Sequence, residues 1–344
     1  MDFARESPKF VQLLIGIVAF VVFVAALLAL VALSDRISTG TRKRKGFAGA
    51  IVERFRNRPE RLPAVIFLFP AVVLLLIGLV VPAIRTTILS FKNGGSTEWV
   101  GLENYKWMFN DPGTRIVLRN TLIWVVLVPL LSTGIGLVYA VLIDKAKFER
   151  VAKSLVFMPM AVSFVGASIV WKFVYADRPP GQEQIGLLNY IWAAMGGEPQ
   201  QWLVNKPLNN LFLIVIMVWI QAGFAMVVLS AAIKAIPGEI VEAARIDGVN
   251  AWQMFWRVTM PSIRAALTVV LVTISIASLK VFDIVRTGTN GNFDTSVIAN
   301  EMYNNAFRYG EAGRGSALAV FLFVLVVPIV VYQIRALRQQ RATR

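Results

Sequence analysis

Seven apolar stretches with few or no charges, most of about twenty residues or more, are the feature that most restricts how this chain can fold. A bilayer core of roughly 30 Å is crossed by about 20 helical residues. It admits only helices and closed barrels, because no water is present there to bond loose backbone groups. The stretches are Phe10 to Leu33, Ala64 to Ile88, Ile116 to Ile143, Ser154 to Tyr175, Leu208 to Ile233, Ala265 to Val285 and Leu318 to Ile334. They exceed the length of buried strands, so the expected class is all-α, a polytopic helical membrane protein with about seven transmembrane helices. With 57% hydrophobic residues in 344, the apolar content lies in runs too long for a soluble core.

The first run is too long for a signal-peptide core of about 7 to 15 residues, and no convincing small-x-small cleavage site ends it, so it is read as a span. A basic segment follows, from Ser34 to Pro63, with Arg42, Lys43, Arg44, Lys45, Arg54, Arg56, Arg58 and Arg61. It reads as a cytoplasmic anchor, with an interfacial helix at GFAGAIVERF touching anionic lipid or a partner subunit as the functional alternative. The organisation expected is therefore residues 1–63 as an amino-terminal span with a basic linker, and residues 64–344 as a six-span core. Cysteine and histidine are both absent, which excludes disulfides, Cys/His metal or haem sites, thiol nucleophiles and histidine-based triads. No catalytic or metal residues are assigned. The net charge of +15 is what short basic loops between spans produce, so no nucleic acid partner is expected.

Between the fifth and sixth runs lies a polar island, residues 235–261, AIPGEIVEAARIDGVNAWQMFWRVTMP. Pro237 and Gly238 interrupt the incoming helix, and Glu239 and Glu242 fall in the first turn of the next, where carboxylates suit the helix dipole. Ala243 and Ala244 give a smooth packing face, Gly248 suits the position just past a helix end, Asn250 caps a second helix and Pro261 ends it. This helix-turn-helix knuckle resembles the EAA loop of the membrane permeases of ABC importers. Glu242, Ala243 and Ala244, then Asp247 and Gly248, then Val258 and Met260-Pro261 stand at the family's offsets, with Met260 in place of the usual leucine. The resemblance implies the type I ABC importer permease fold, and a coupling helix that docks on a separate ATPase. It further implies a second permease subunit, two ATPase subunits, an extracytoplasmic sugar-binding protein and a place in the bacterial cytoplasmic (inner) membrane with its lipid. This chain has no G-x-x-x-x-G-K-[ST] phosphate loop, so no cofactor is expected in it, ATP and Mg being bound by the partner ATPase.

Placing the knuckle inside fixes the topology. The loops after the first, third and fifth spans and the tail then hold about twice as many Lys and Arg as the outer segments, as the positive-inside rule asks. The amino terminus is expected outside and the carboxyl terminus in the cytoplasm. In the outer segments, VGLENYKWMF carries Leu102, Tyr105 and Phe109 at helical spacing and reads as a short surface helix. GLLNYIWAAMG is too short to span. The first string resembles the segment after the first core span of sugar-type permeases, and GLLN with the later Trp202-Leu203 is similar to theirs. The resemblance runs from about Arg61 to the end.

Polar and aromatic residues in spans five and six are the candidates for a transport path: Trp219, Gln221, Phe224, Ser278, Lys280 and Asp283. A lysine or aspartate facing lipid at the bilayer centre costs about 3 kcal/mol, so Lys280 and Asp283 should face protein, water or each other. Their i,i+3 spacing places them on one helix face, roughly 22 Å above the inner end of span six, as an ion pair or as path lining. Trp219, Gln221 and Phe224, counted back from Pro237, and Ser278 match cavity-lining positions of maltose-type permeases. LKVFDIVRTGTNG and MYNNAFRYGEAGRGSALA are similar to the sugar-importer subgroup, above all to bacterial α-glucoside permeases. That implies a disaccharide such as maltose, trehalose or sucrose, with a glycerol-linked sugar or glycerol phosphate as the alternative. The rival classes are an ion-coupled secondary transporter and a passive channel. The carrier would show an internal repeat and an intramembrane carboxylate cluster, and neither is found; a channel, or a structural membrane subunit, needs no docking knuckle.

Overall fold

The computed structural model describes residues 61–143, 147–179 and 181–342. The expected first span, the basic linker through residue 60 and the helix at GFAGAIVERF lie outside the described residues. The described chain is helical, and its only extended pairing among those residues is an isolated bridge between Lys92 and Trp99. Two compact units are distinguished, Met1–Arg85 and Thr86–Arg344.

Helix α1 runs from Arg61 through a π-helical turn at Leu76–Val80 to Leu89, and its Leu68–Leu89 stretch is long and apolar enough to cross a membrane. The second unit contains α2 (Glu103–Asn110), α3 (Pro112–Ile143), α4 (Glu149–Ala161, its end 3₁₀), α5 (Phe164–Val174), α6 (Leu187–Ala194) and α7 (Asn209–Lys234). After these come α8 (Gly238–Ile246), α9 (Ala251–Ser262), α10 (Arg264–Leu279), α11 (Asp283–Gly288), α12 (Ile298–Tyr303) and α13 (Ala312–Ala342). Of the six spans expected in this part of the chain, α1, α3, α7 and the Ala312–Arg335 stretch of α13 are single helices.

The other two are broken. Span four is not one helix over Ser154 to Tyr175: α4 and α5 meet at 104°. A 3₁₀ turn at Met158–Ala161 with Pro159 leads into extended Val162, and Ser163 restarts the helix, its Oγ accepting from the Gly166 N–H at 3.1 Å. Span six, expected over Ala265 to Val285, is covered by α10 only to Leu279, and α10 meets α9, the last helix of the knuckle, at 70°.

At the centre stands α7, the most buried of the membrane-length helices. Small residues let its backbone touch its neighbours. A Cβ on Gly136 of α3 would meet Ala225 Cβ at 2.5 Å and the Met226 N atom at 2.7 Å, and one on Gly223 would meet the Val156 carbonyl of α4 at 2.5 Å. In lipid, where tails are as apolar as leucine, such close approach is what holds helices together. Its Leu213, Met217, Met226 and Leu229 pack in one core with Trp124 and Val128 of α3 and Ile274 of α10, all fully buried. Polar groups seal the end of the bundle away from the knuckle. Trp124 Nε1 donates to Asn210 Oδ1 at 2.8 Å, Asn120 Nδ2 donates to the Asp294 and Ser296 carbonyls, and Thr121 Oγ1 accepts from the Ile298 N–H.

The short surface helix expected at VGLENYKWMF forms as α2, which buries Asn104 and Met108 and leaves Leu102 and Phe109 of its apolar stripe exposed. Leu102 and Phe109 are exposed because Asn104 must face inward, where its Nδ2 donates to the Ser90 and Lys92 carbonyls. In α6 the buried residue is Asn189, which joins the Ala176 carbonyl to both backbone groups of Gln200.

The contact at Gly136 supplies a test. Gly136→Ala should destabilise the purified protein by about 1–3 kcal/mol through overpacking against a backbone that cannot retreat. Gly134→Ala, where nothing lies within 4 Å of the added carbon, should not. Thermal unfolding in detergent compares them, and equal midpoints would show that the α3–α7 crossing is loose.

Candidate functional site

The knuckle begins where α7 ends, with Ala235 as its C-cap, extended Pro237 and then α8. Glu239 lies in the first turn of α8, whereas Glu242, expected there too, lies in the second, because the helix already starts at Gly238. The end of α8 is a Schellman motif. The Gly248 N–H donates to the Arg245 carbonyl at 3.0 Å and the Val249 N–H to the Ala244 carbonyl at 3.1 Å, with Gly248 at φ +75°. Asn250 and Gln253 then close a capping box on α9, each side chain bonding the other's backbone N–H.

Two readings of this loop need correction. Ala243 and Ala244 do not share a face: Ala244 is buried and Ala243 exposed, as adjacent residues about 100° apart on a helix must be. Pro261 does not end α9, which continues to Ser262 and turns at buried Ile263. Proline lacks an N–H and its ring collides with the carbonyl four residues earlier. The π-helical segment Met254–Thr259 just before it widens the turn and relieves that collision. The resulting knuckle is rigid backbone with an exposed polar crest of Glu242, Asp247 and Gly248 and an exposed apolar rim of Ile246 and Trp252.

The path candidates separate into two groups. On α7, Gln221 and Phe224 lie about 60° apart in azimuth while Trp219 is at least about 140° from both. Gln221 is half-buried and its amide has no hydrogen-bond partner among the described residues; Phe224 is half-buried against the core. Trp219 faces elsewhere, edge-on to Trp171 at 5.8 Å. It ends a ladder of rings that continues through Tyr175, Phe212 and Trp202 to Trp192 on α6, with centroids 4.9 to 6.1 Å apart. That ladder, together with Asn189, is how the loop carrying α6 is tied to α7, and no residue spacing announced it.

On α10, Ser278 is fully buried and its hydroxyl donates to the Ile274 carbonyl at 2.8 Å, so in this conformation it faces packing. Lys280 and Asp283 do not share a helix face. The helix stops at Leu279, Lys280 is its C-cap, and Phe282 (φ −133°, ψ −56°) breaks the chain before α11 starts at Asp283. No ion pair joins them. The break lets α11 turn back against α5, where Ser168 Oγ donates to the Ile284 carbonyl and Lys172 Nζ to the Thr287 carbonyl, both at 3.3 Å. The buried asparagines 120, 209 and 300, which sequence reasoning passed over, hold the loop beyond α11, and buried Asn210 accepts from Trp124. Amides inside membrane-length helices were the available signal, since polar groups there need partners.

Comparison with known proteins follows this geometry. Residues 114–344 match the family described as binding-protein-dependent transport system inner membrane component. An osmoprotective-compound uptake permease of Synechocystis sp. is 50% identical over 278 residues, covering 81% of this chain and 100% of that protein. An α-glucoside transport system permease of Rhizobium meliloti is 48% identical over 292 residues, covering 85% and 87%. Among solved structures, a bacterial ABC transporter involved in import of the acidic polysaccharide alginate superposes with a TM-score of 0.72 over 83% of this chain and 99% of that one, at 22% identity, which shows a common fold. With a helical membrane fold, the knuckle at 235–261 and the family match over two thirds of its length, this chain belongs to the inner membrane components of binding-protein-dependent transport systems.

Proposed function

We propose that this chain is one permease subunit of an ATP-driven importer of carbohydrate, an α-glucoside disaccharide being the favoured substrate. The observation that carries the reading is the capped knuckle, a rigid exposed loop with no use in a channel or ion-coupled carrier, in a chain 48% identical to an α-glucoside permease. ATP and Mg would bind a separate ATPase pair, which the knuckle would engage through Glu242 and the turn at Gly248. A second permease and an extracytoplasmic binding protein complete the assembly. One solved relative of the fold was captured with a pentasaccharide-bound periplasmic protein, which supports that partner class. A second reading, a glycerol-linked sugar or glycerol phosphate, stands beside it, and the 50% identity to a permease for osmoprotective compounds keeps the substrate class open beyond disaccharides. ATP-dependent uptake of a sugar panel into vesicles holding the reconstituted complex decides between them, and uptake driven by an ion gradient alone would refute both.

Gln221 and Phe224 are the residues of the proposed path that share a helix face, and a free amide beside an aromatic ring suits a sugar's hydroxyls and apolar ring face. The opposite azimuth of Trp219 assigns it to packing.

Three outcomes are expected. Glu242→Lys and Gly248→Val should abolish receptor-stimulated ATP hydrolysis, while Gly248→Asn retains it, since asparagine tolerates the left-handed region that costs other residues about 1–2 kcal/mol; equal hydrolysis in all three would remove the knuckle from coupling. Single cysteines in this cysteine-free chain test the topology: an impermeant thiol reagent on intact cells should label Ser7→Cys and spare Thr343→Cys, and the reverse pattern inverts the scheme. Gln221→Ala and Phe224→Ala should each weaken sugar uptake about tenfold, from about 1–3 kcal/mol of lost pairing or contact. Undiminished initial rates in both would move the path to the partner permease.

A further inference from the structure

Helix α10 carries the chain from Arg264 at the knuckle to Leu279, about 24 Å at 1.5 Å per residue. The segment beyond it, α11 and α12, therefore lies at the end remote from the knuckle. Half-buried Arg286 on α11 donates from Nη1 to Asn304 Oδ1 at 2.8 Å, and its guanidinium lies 4.8 Å from the centroid of the Tyr303 ring. Among the described residues no carboxylate comes within ion-pair distance of it, although Asp283 stands one turn earlier on the same helix. A guanidinium has five N–H donors in a planar fork. Only Nη1 is engaged here, and none of the other nitrogens is enclosed without a partner, so they remain accessible.

Asn304 is nearly buried, its Oδ1 taken by Arg286 and its Nδ2 without a protein acceptor. It opens the π-helical turn Asn304–Arg308, which also presents Phe307, 75% exposed, with its ring 5.4 Å from Tyr303. Phe282 backs Tyr303 on its other flank at 5.3 Å. Here the guanidinium is directed to a ring face and an amide oxygen, which holds the fork still and leaves its other donors open beside an aromatic surface. Donors without competing acceptors, set against an exposed ring, suit a molecule with adjacent hydroxyl oxygens on one edge and an apolar C–H face.

We infer that Arg286, Asn304 and Phe307 form a receiving subsite for a neutral pyranoside, with adjacent hydroxyls accepting from the guanidinium and the Asn304 amide and the sugar face lying on Phe307. The inference rests on the carbohydrate-importer reading and its topology, which puts this end of the chain toward the binding protein. It adds a station ahead of Gln221 and Phe224.

The test uses the full complex in vesicles, with a neutral disaccharide supplied on the binding protein, and reads sugar imported per ATP hydrolysed. Arg286→Gln and Phe307→Ala should each lower that ratio about threefold to tenfold, with Arg286→Lys between them and the parent. Phe323→Ala, an exposed aromatic on α13 outside the cluster, should keep the parent ratio. An unchanged ratio in both Arg286→Gln and Phe307→Ala overturns the subsite. So does a loss of import and hydrolysis in parallel, which marks the cluster as structural, or a reduced ratio for a carboxylated sugar with the neutral one unaffected, which makes it an anion site. Failure of the parent to hydrolyse ATP on addition of loaded receptor would refute the importer reading instead, and the subsite with it.

Discussion

The structure of the second unit depends on how closely α7 is approached by its neighbours. At Gly136 against Ala225, and at Gly223 against Val156, helix backbones meet with no side chain between them. Lipid offers no hydrophobic drive for helices to associate, so dispersion over such contacts and a few buried hydrogen bonds must supply it. Each bond also removes a polar group from hydrocarbon, where a lone one would be costly. The Trp124–Asn210 bond and the Asn120 and Asn209 clamps sit at one end of this packed seam, so the helix that leads into the knuckle is anchored at its far end to the loop beyond α11.

That anchoring gives the knuckle a defined platform. The terminal carbonyls of α8 are met by the Schellman turn, and the first N–H groups of α9 by the Asn250–Gln253 box, so the loop keeps its shape without burying much of its own surface. A rigid, exposed loop is what a partner can push against. The same economy of backbone partners explains the two broken spans: each break falls near a proline, Pro159 or Pro261, and is closed by a local bond, the Gly166 N–H to Ser163 Oγ in one and the Ile263 N–H to the Thr259 carbonyl in the other. Helix termini inside a membrane protein persist where protein groups satisfy them.

The long apolar runs and the spacing from Glu242 to Pro261 were sufficient, before any coordinates, for a helical membrane protein with a knuckle of this type. Both signals are local: a run of apolar residues must span, and Gly248 reverses the chain at φ +75°, which a glycine adopts without steric cost. What the sequence could not decide were orientations set by non-local partners. Whether α2 buries Leu102 or Asn104 depends on the Ser90 and Lys92 carbonyls, and whether Trp219 or Phe224 faces a path depends on Trp171. Lys280 and Asp283 look like helix neighbours by number alone. Only the docking of α11 on α5 through Ser168 and Lys172, more than 100 residues away in the chain, separates them, because burying that segment requires the helix to end at Leu279.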